Sequence, residues 1–185
     1  MKRFTTILLT ICLLYSAALA GSATVNIIEW SWFEDTVTSQ TEGSFHTLDN
    51  LPCKVWIPAV FEDTEEEPYE GDGFSTFLFK STVTEDGKST DLTFGKVDAT
   101  VYPHDALLQL LQNTEYISDI TPMIINGYSA IRCKIIPEGC IGFGAVYWMD
   151  DGTALMIQSL SYEDTYDEIF ETLFNYISFS VQPAD

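Results

Sequence analysis

The chain has 185 residues, 28 of them acidic and 8 basic, for a formal net charge of −20. That field repels nucleic acid and anionic membrane, because binding either needs Lys and Arg at the phosphates. With 12 Phe, 9 Tyr and 4 Trp the chain has too much core material to be disordered, and 4 Cys are too few for a disulfide-built scaffold.

Lys2 and Arg3 precede an apolar run from Phe4 to Tyr15, and Ala18-Leu19-Ala20 follows as a small-x-small site. This is the tripartite pattern of a secretory signal peptide, expected over residues 1–20 with cleavage after Ala20. The alternative, an uncleaved anchor, has about half of the ~20 apolar residues that a span needs. Cys12 lies inside the apolar run and does not suit lipidation. The remainder is expected to be secreted or extracytoplasmic, in a periplasm or at a cell surface. It keeps six basic residues against 28 acidic, a charge of −22. Such a surface attracts cations and basic proteins, or serves solubility alone. Cys53, Cys133 and Cys140 are an odd set, which implies a free thiol or an intermolecular bond.

After the leader, residues 21–43 read as a strand (Val25 to Phe33) and a polar loop (Thr36 to Gly43) ahead of a single domain over 44–185. Ser44 to Ile57 ends in an alternation of Leu51, Cys53, Val55 and Ile57, the period of a half-buried strand. Glu62 to Gly73 is an acidic stretch expected to be a solvated loop. Phe74 to Val83 and Asp91 to Val101 flank a Gly-containing turn, a hairpin signal. Pro103 to Gln112 spaces Leu107, Leu108, Leu110 and Leu111 as a short helix.

Glu115 to Ile125 predicts a strand interrupted by Pro122, and Asn126-Gly127 a tight turn. Tyr128 to Ile136, Cys140 to Met149 and Thr153 to Tyr162 then form an antiparallel meander. A turn from Ile136 to Gly139 would set Cys133 opposite Gly142, making Cys133 and Cys140 diagonal neighbours without a bond. From Thr165, Tyr166, Ile169, Phe170, Leu173, Phe174 and Ile177 trace one helical face, with Thr165 and Glu168 as a capping box. Ile169, Phe170, Leu173 and Phe174 are expected to be buried on the sheet. Strands with helices packed on them make an α+β domain with a central, mostly antiparallel sheet.

The segments KVWIP (Lys54 to Pro58), NGYSAIRCK (Asn126 to Lys134), FGAVYWMDDGTALMIQSLSY (Phe143 to Tyr162) and DEIFETLFNYISFSV (Asp167 to Val181), in this order, resemble the PsbP-like superfamily. That group includes the PsbP subunit of photosystem II, a Mog-type Ran-binding import factor and bacterial exported members of unknown role. The likeness covers roughly residues 44 to 182. It implies a sheet between helices (an α/β/α sandwich) and a docking role rather than chemistry. No binding residue transfers from it.

Catalytic residues are expected to be none. The chain has two histidines, His46 and His104, and Cys53 falls on the alternating apolar face, as a core thiol does. Gly139, Gly142 and Gly144 run into a strand rather than opening a helix, which marks a close approach instead of a phosphate cradle. Glu65, Glu66, Glu67, Glu70 and Asp72, with Glu62 and Asp63 beside them, could offer oxygens to calcium, although the spaced D-x-D-x-D-G loop is missing. No other cofactor is expected. Trp30, Trp32, Trp56 and Trp148 read as core more than as a stacking platform. The functional expectation is a non-enzymatic binding or accessory module whose acidic surface meets a basic protein partner or a cation. The alternative is a secreted hydrolase using paired carboxylates, whose spatial separation sequence does not reveal.

Overall fold

The computed structural model describes residues 25–49, 51–71 and 73–184; the expected signal peptide over 1–20 and Asp72 lie outside the described residues. The elements are β1 (Asn26–Ile28), a 3-10 turn (Trp30–Trp32), α1 (Glu34–Gln40), β2 (Gly43–Thr47), β3 (Cys53–Pro58), β4 (Glu62–Asp63) and β5 (Glu70–Gly71). After these come β6 (Phe74–Val83), β7 (Ser89–Asp98), α2 (His104–Gln112), β8 (Ile117–Ile125) and β9 (Tyr128–Ile135). The chain ends with β10 (Cys140–Trp148), β11 (Thr153–Tyr162), α3 (Ile169–Phe179) and β12 (Gln182–Pro183).

The fold is α+β with a central sheet. Its strands run in the order β1-β8-β9-β10-β11-β7-β6-β4, with β5 also on β6. All neighbours are antiparallel except β1 and β8. A second small sheet, β12-β3-β2, packs with α3 on one face, and α2 covers part of the other. Period-two alternation divides the strands between the two cores. On β10, Phe143, Ala145 and Tyr147 face α3, while Val146 and Trp148 face α2.

On the α3 face, Phe170, Leu173, Phe174 and Ile177 recur at helical spacing and are all buried. The ring of Phe174 stacks on Phe143 at 5.7 Å. Fully buried Tyr147 donates its hydroxyl hydrogen bond to the carbonyl of Ser178, and burial pushes its pKa up. Arg132 lies over the rings of Phe179, at 4.5 Å, and Phe174, at 5.5 Å, and donates to Asn175 Oδ1. Asn126 ties the segment at Trp30 and the end of α3 to this layer. It occupies the β8–β9 turn at φ 48°, ahead of Gly127 at φ 86°. Its Oδ1 accepts from the Trp30 N–H at 2.6 Å, and its Nδ2 donates to the carbonyls of Phe179 (2.9 Å) and Val181 (2.7 Å).

The structure departs from the sequence expectations at several places. The strand expected over 25–33 stops at Ile28, because the chain turns to pack Trp30 against Trp56 at 5.9 Å. The loop expected from Thr36 is the helix α1, held by buried Val37 with Glu34 and Asp35 in its first turn, where the helix dipole favours them. The alternating strand that ends at Pro58 is present as β3, and the residues before it add a second strand, β2, that pairs with it in the small sheet. Pro122 does not interrupt β8; the irregularity falls at Asp119, φ 53°, and β1 pairs only from Met123 onward.

The terminal helix begins at Ile169 rather than Thr165. Asp167 Oδ1 accepts the Ile169 N–H at 2.9 Å, while the Thr165 hydroxyl donates to the Tyr162 carbonyl, so no Thr165 capping box forms. Ile169 therefore stands at the helix's first turn, 47% exposed and not buried as expected. Between β9 and β10 the register sets Ile135 against Gly142 and Cys133 against Gly144, two positions from the expected pairing. Cys140 stands four residues from Gly144 along β10, about 13 Å of strand. The two thiols are both free, and at that spacing they are not diagonal neighbours.

Candidate functional site

The site is built on the α2 face of the sheet. Leu107, Leu110 and Leu111 turn inward from α2 onto Val97, Ile117, Ile131, Val146 and Ala154. A nine-residue helix is only about 13 Å long, whereas a ten-residue strand such as β7 runs about 33 Å, so β6, β7 and β11 extend past the cover that α2 gives. Next to the helix is an apolar slot of about 60 Å³ lined by Val97, Leu107, Leu111, Ile131, Val146 and Met156. Gly144 also lines it, and a Cβ there would come within 3.0 Å of Ile135 Cδ1 and 3.1 Å of Cys133 Sγ.

Beyond the slot the acidic segment crosses the same face. The acidic stretch is solvated as expected, its described carboxylates all exposed, but it is tethered along β6 as a strap. Lys80, nearly buried, donates to Asp63 Oδ1 at 2.7 Å, and the Thr64 N–H reaches the Phe79 carbonyl. The Tyr69 N–H donates to Thr76 Oγ1 at 2.9 Å, and the Thr76 N–H returns to the Tyr69 carbonyl at 2.8 Å. These bonds hold a second space of about 70 Å³, lined by Glu66, Glu67, Tyr69, Phe79, Asp91 and Thr93, with Thr76 and Leu160 beside them. Phe74 and Gln158 line both spaces, which lie side by side. Burial first, and the charge of Glu66 second, raise the Asp91 carboxyl above the ordinary carboxylate value.

Of the carboxylates expected at a cation site, Glu66 and Glu67 line this rim, while Glu70 lines a separate open depression with Asp98 and Asp151. Glu65 is exposed on the strap, and Asp72 lies outside the described residues. Among the described residues no three His, Cys, Asp or Glu side chains converge to hold a metal. Cys53 is buried, and burial pushes its thiol up to about 12, far from a thiolate at neutral pH. His46 is half-buried on β2 beside Ser44, its pKa lowered by burial and then by Lys80. His104 stands at the start of α2 with its ring 4.6 Å from Trp148. Trp30 and Trp56 are core and Trp148 is half-buried, but Trp32 is 66% exposed and does not join them.

Sequence reasoning missed Asp91 and Gln158. Both are visible in the alternation once the face is known: Asp91, Thr93, Gly95 and Val97 share one side of β7, and Ala154, Met156, Gln158 and Leu160 one side of β11.

No protein-family model and no curated protein matches the chain. Among solved structures it is similar to LpqN, involved in cell envelope biogenesis of Mycobacterium tuberculosis, at 12% identity over 89% of this chain and 100% of that one, with a TM-score of 0.48. A Bacteroides thetaiotaomicron protein is similar at 14% identity over 77% of this chain, which spans about half (49%) of that protein's length, with a TM-score of 0.42. Among the described residues no helix is long and apolar enough to cross a membrane.

Proposed function

We propose that this is an exported, non-enzymatic binding domain of the PsbP-like kind, whose α2 face engages a cation or a basic partner. The observation that carries the reading is the apolar slot side by side with a space rimmed by Glu66, Glu67 and Asp91. Export rests on the amino-terminal pattern, and the PsbP-like kinship on the sequence resemblance. At the α2 face, size supports binding over turnover, because the two spaces there measure about 60 and 70 Å³, against roughly 300–1,000 Å³ for pockets that enclose a substrate. A carboxylate hydrolase is the second reading, supported by the raised proton affinity of Asp91 beside Glu66.

Immobilised protein exposed to the extracytoplasmic fraction of its source cells, at low and high salt, tests the first reading. A partner should bind at low salt, wash off as salt screens the rim, and bind weakly to the Glu66→Gln/Glu67→Gln variant. Retention that ignores both salt and the two substitutions contradicts it. Turnover of glycosides that disappears in Asp91→Asn would establish the hydrolase instead.

A further inference from the structure

The acidic end of the cavity has a more specific chemistry than negative charge, and a ligand assigned to it rests on the reading that the α2 face binds. Three rings, those of Tyr69, Phe74 and Phe79, share the space with the carboxylates of Glu66, Glu67 and Asp91. The Tyr69 and Phe74 ring centroids are 6.2 Å apart at 37°. Ring faces carry negative quadrupole charge and attract ammonium groups, most strongly where water is excluded. Gln158 adds an independent sign of a ligand. It is only 7% exposed and lines both spaces, yet its amide makes no hydrogen bond among the described residues. The amide faces the space with its hydrogen-bonding capacity open to a ligand. Asp91 is in a similar state, since its burial and the charge of Glu66 both work against its ionised form. A cation between the two carboxylates relieves that conflict.

The slot sets the shape of the tail behind the cationic head. At about 60 Å³ it is well below the roughly 150 Å³ that admits benzene, so it takes a straight aliphatic stem and refuses a ring. We infer that the cavity binds a small linear alkylammonium ion, with its ammonium among Tyr69, Phe74, Phe79, Glu66 and Asp91, an N–H donated to Gln158 Oε1, and its tail in the slot beneath α2.

Titration of the isotope-labelled protein with n-butylammonium and n-hexylammonium, followed by amide NMR and calorimetry, tests this. The wild type should show the Gln158 side-chain amide and the β7 and β11 backbone shifting together. Hexylammonium should bind about ten-fold tighter than butylammonium, the gain expected from two further buried methylenes. n-Butanol and butyrate should bind at least about ten-fold more weakly than butylammonium, and benzylammonium should be excluded. Gly144→Val, which plugs the slot, should reduce the tail-length gain to less than about two-fold and leave head recognition in place. Asp91→Asn should weaken every amine. Equal binding of butanol, preference for benzylammonium, or shifts confined to the α3 face overturn the inference. So does preference for Nα-acetyl-lysine methylamide over butylammonium, which would make the occupant a lysine of a peptide. If amines fail while a basic partner still binds in a salt- and Glu66-dependent way, the inference falls and the binding face stands.

Discussion

On the α3 face of the sheet, Phe94, Phe143, Tyr147 and Ile157 meet Phe170, Phe174 and Ile177, each at most 5% exposed. On the α2 face, Leu107, Leu110 and Leu111 cover only one end and leave a slot beside them, and a strap of acids borders a second space further along. The same sheet offers both faces, so the difference lies in what is laid on them. The contrast extends to charge. The rings of Phe174 and Phe179 on the α3 face are matched by the protein's own Arg132, whereas Tyr69, Phe74 and Phe79 on the α2 face are matched with carboxylates. One aromatic cluster is satisfied internally. Under the proposed binding, the other takes its cation from outside.

The largest expected effect separates the faces by packing. Phe170→Ala should lower stability by about 3–5 kcal/mol, the range for a large aromatic removed from a filled core. That is roughly 10 °C in Tm for a domain of this size. Leu111→Ala, beside an existing cavity, should stay near the low end of the Leu→Ala range, about 2 kcal/mol, because less close packing is lost. Equal losses in thermal melts would break the comparison.

Asn126→Ala should rank next at about 2–3 kcal/mol, since it removes the left-handed turn residue and the side chain that holds Trp30, Phe179 and Val181. Asn126→Asp keeps the turn and the acceptor but turns a carboxylate oxygen toward two carbonyls, so it should rescue only part of the loss in urea unfolding.

Two glycines on one strand sharpen the contrast further. A Cβ at Gly142 would fall 2.2 Å from the Ser159 carbonyl oxygen, which belongs to the neighbouring strand and cannot swing away. Gly142→Ala should therefore cost about 1–3 kcal/mol as an overpacked site. At Gly144 the contacts are side-chain ends at 3.0 and 3.1 Å beside empty space, so Gly144→Ala should stay within about 1 kcal/mol of wild type.

The smallest effect is electrostatic. The folded Asp91 carboxyl titrates above its unfolded value, so the folded state holds its proton more tightly and stability falls as pH rises through that window. At neutral pH the penalty is fully present, and below the ordinary carboxylate value near ~3.9 it is gone. Asp91→Asn should raise Tm by a few degrees at pH 7 and by nothing near pH 3; a lower Tm at pH 7 would show that Asp91 is instead stabilised as an anion.

How much is legible in the sequence depends on the range of the interactions involved. The β6–β7 hairpin, the Asn126-Gly127 turn, β11 and the apolar face of α3 are encoded by neighbours a few residues apart, and period and turn chemistry expose them. The helix α1 is hidden because Thr and Ser dominate it and its one buried anchor, Val37, packs through Trp30 and Trp56 from elsewhere in the chain. The start of α3 is ambiguous in the sequence because Asp167 provides the cap and Thr165 offers the same chemistry two residues earlier. The acidic run stands out as a candidate site, but its role depends on which strand it pairs with. Only its pairing with β6 brings Glu66 and Glu67 over Asp91 and Gln158.

The most direct test of the central claim, that the α2 face is the binding face, is hydrogen exchange on the wild-type protein with and without its captured partner or an amine. New protection is expected in residues 64–76, in β7 and in the centre of β11, with α3 and the small sheet unchanged. Protection confined to α3, β2 and β3 would contradict the claim and assign binding to the face whose core is already filled.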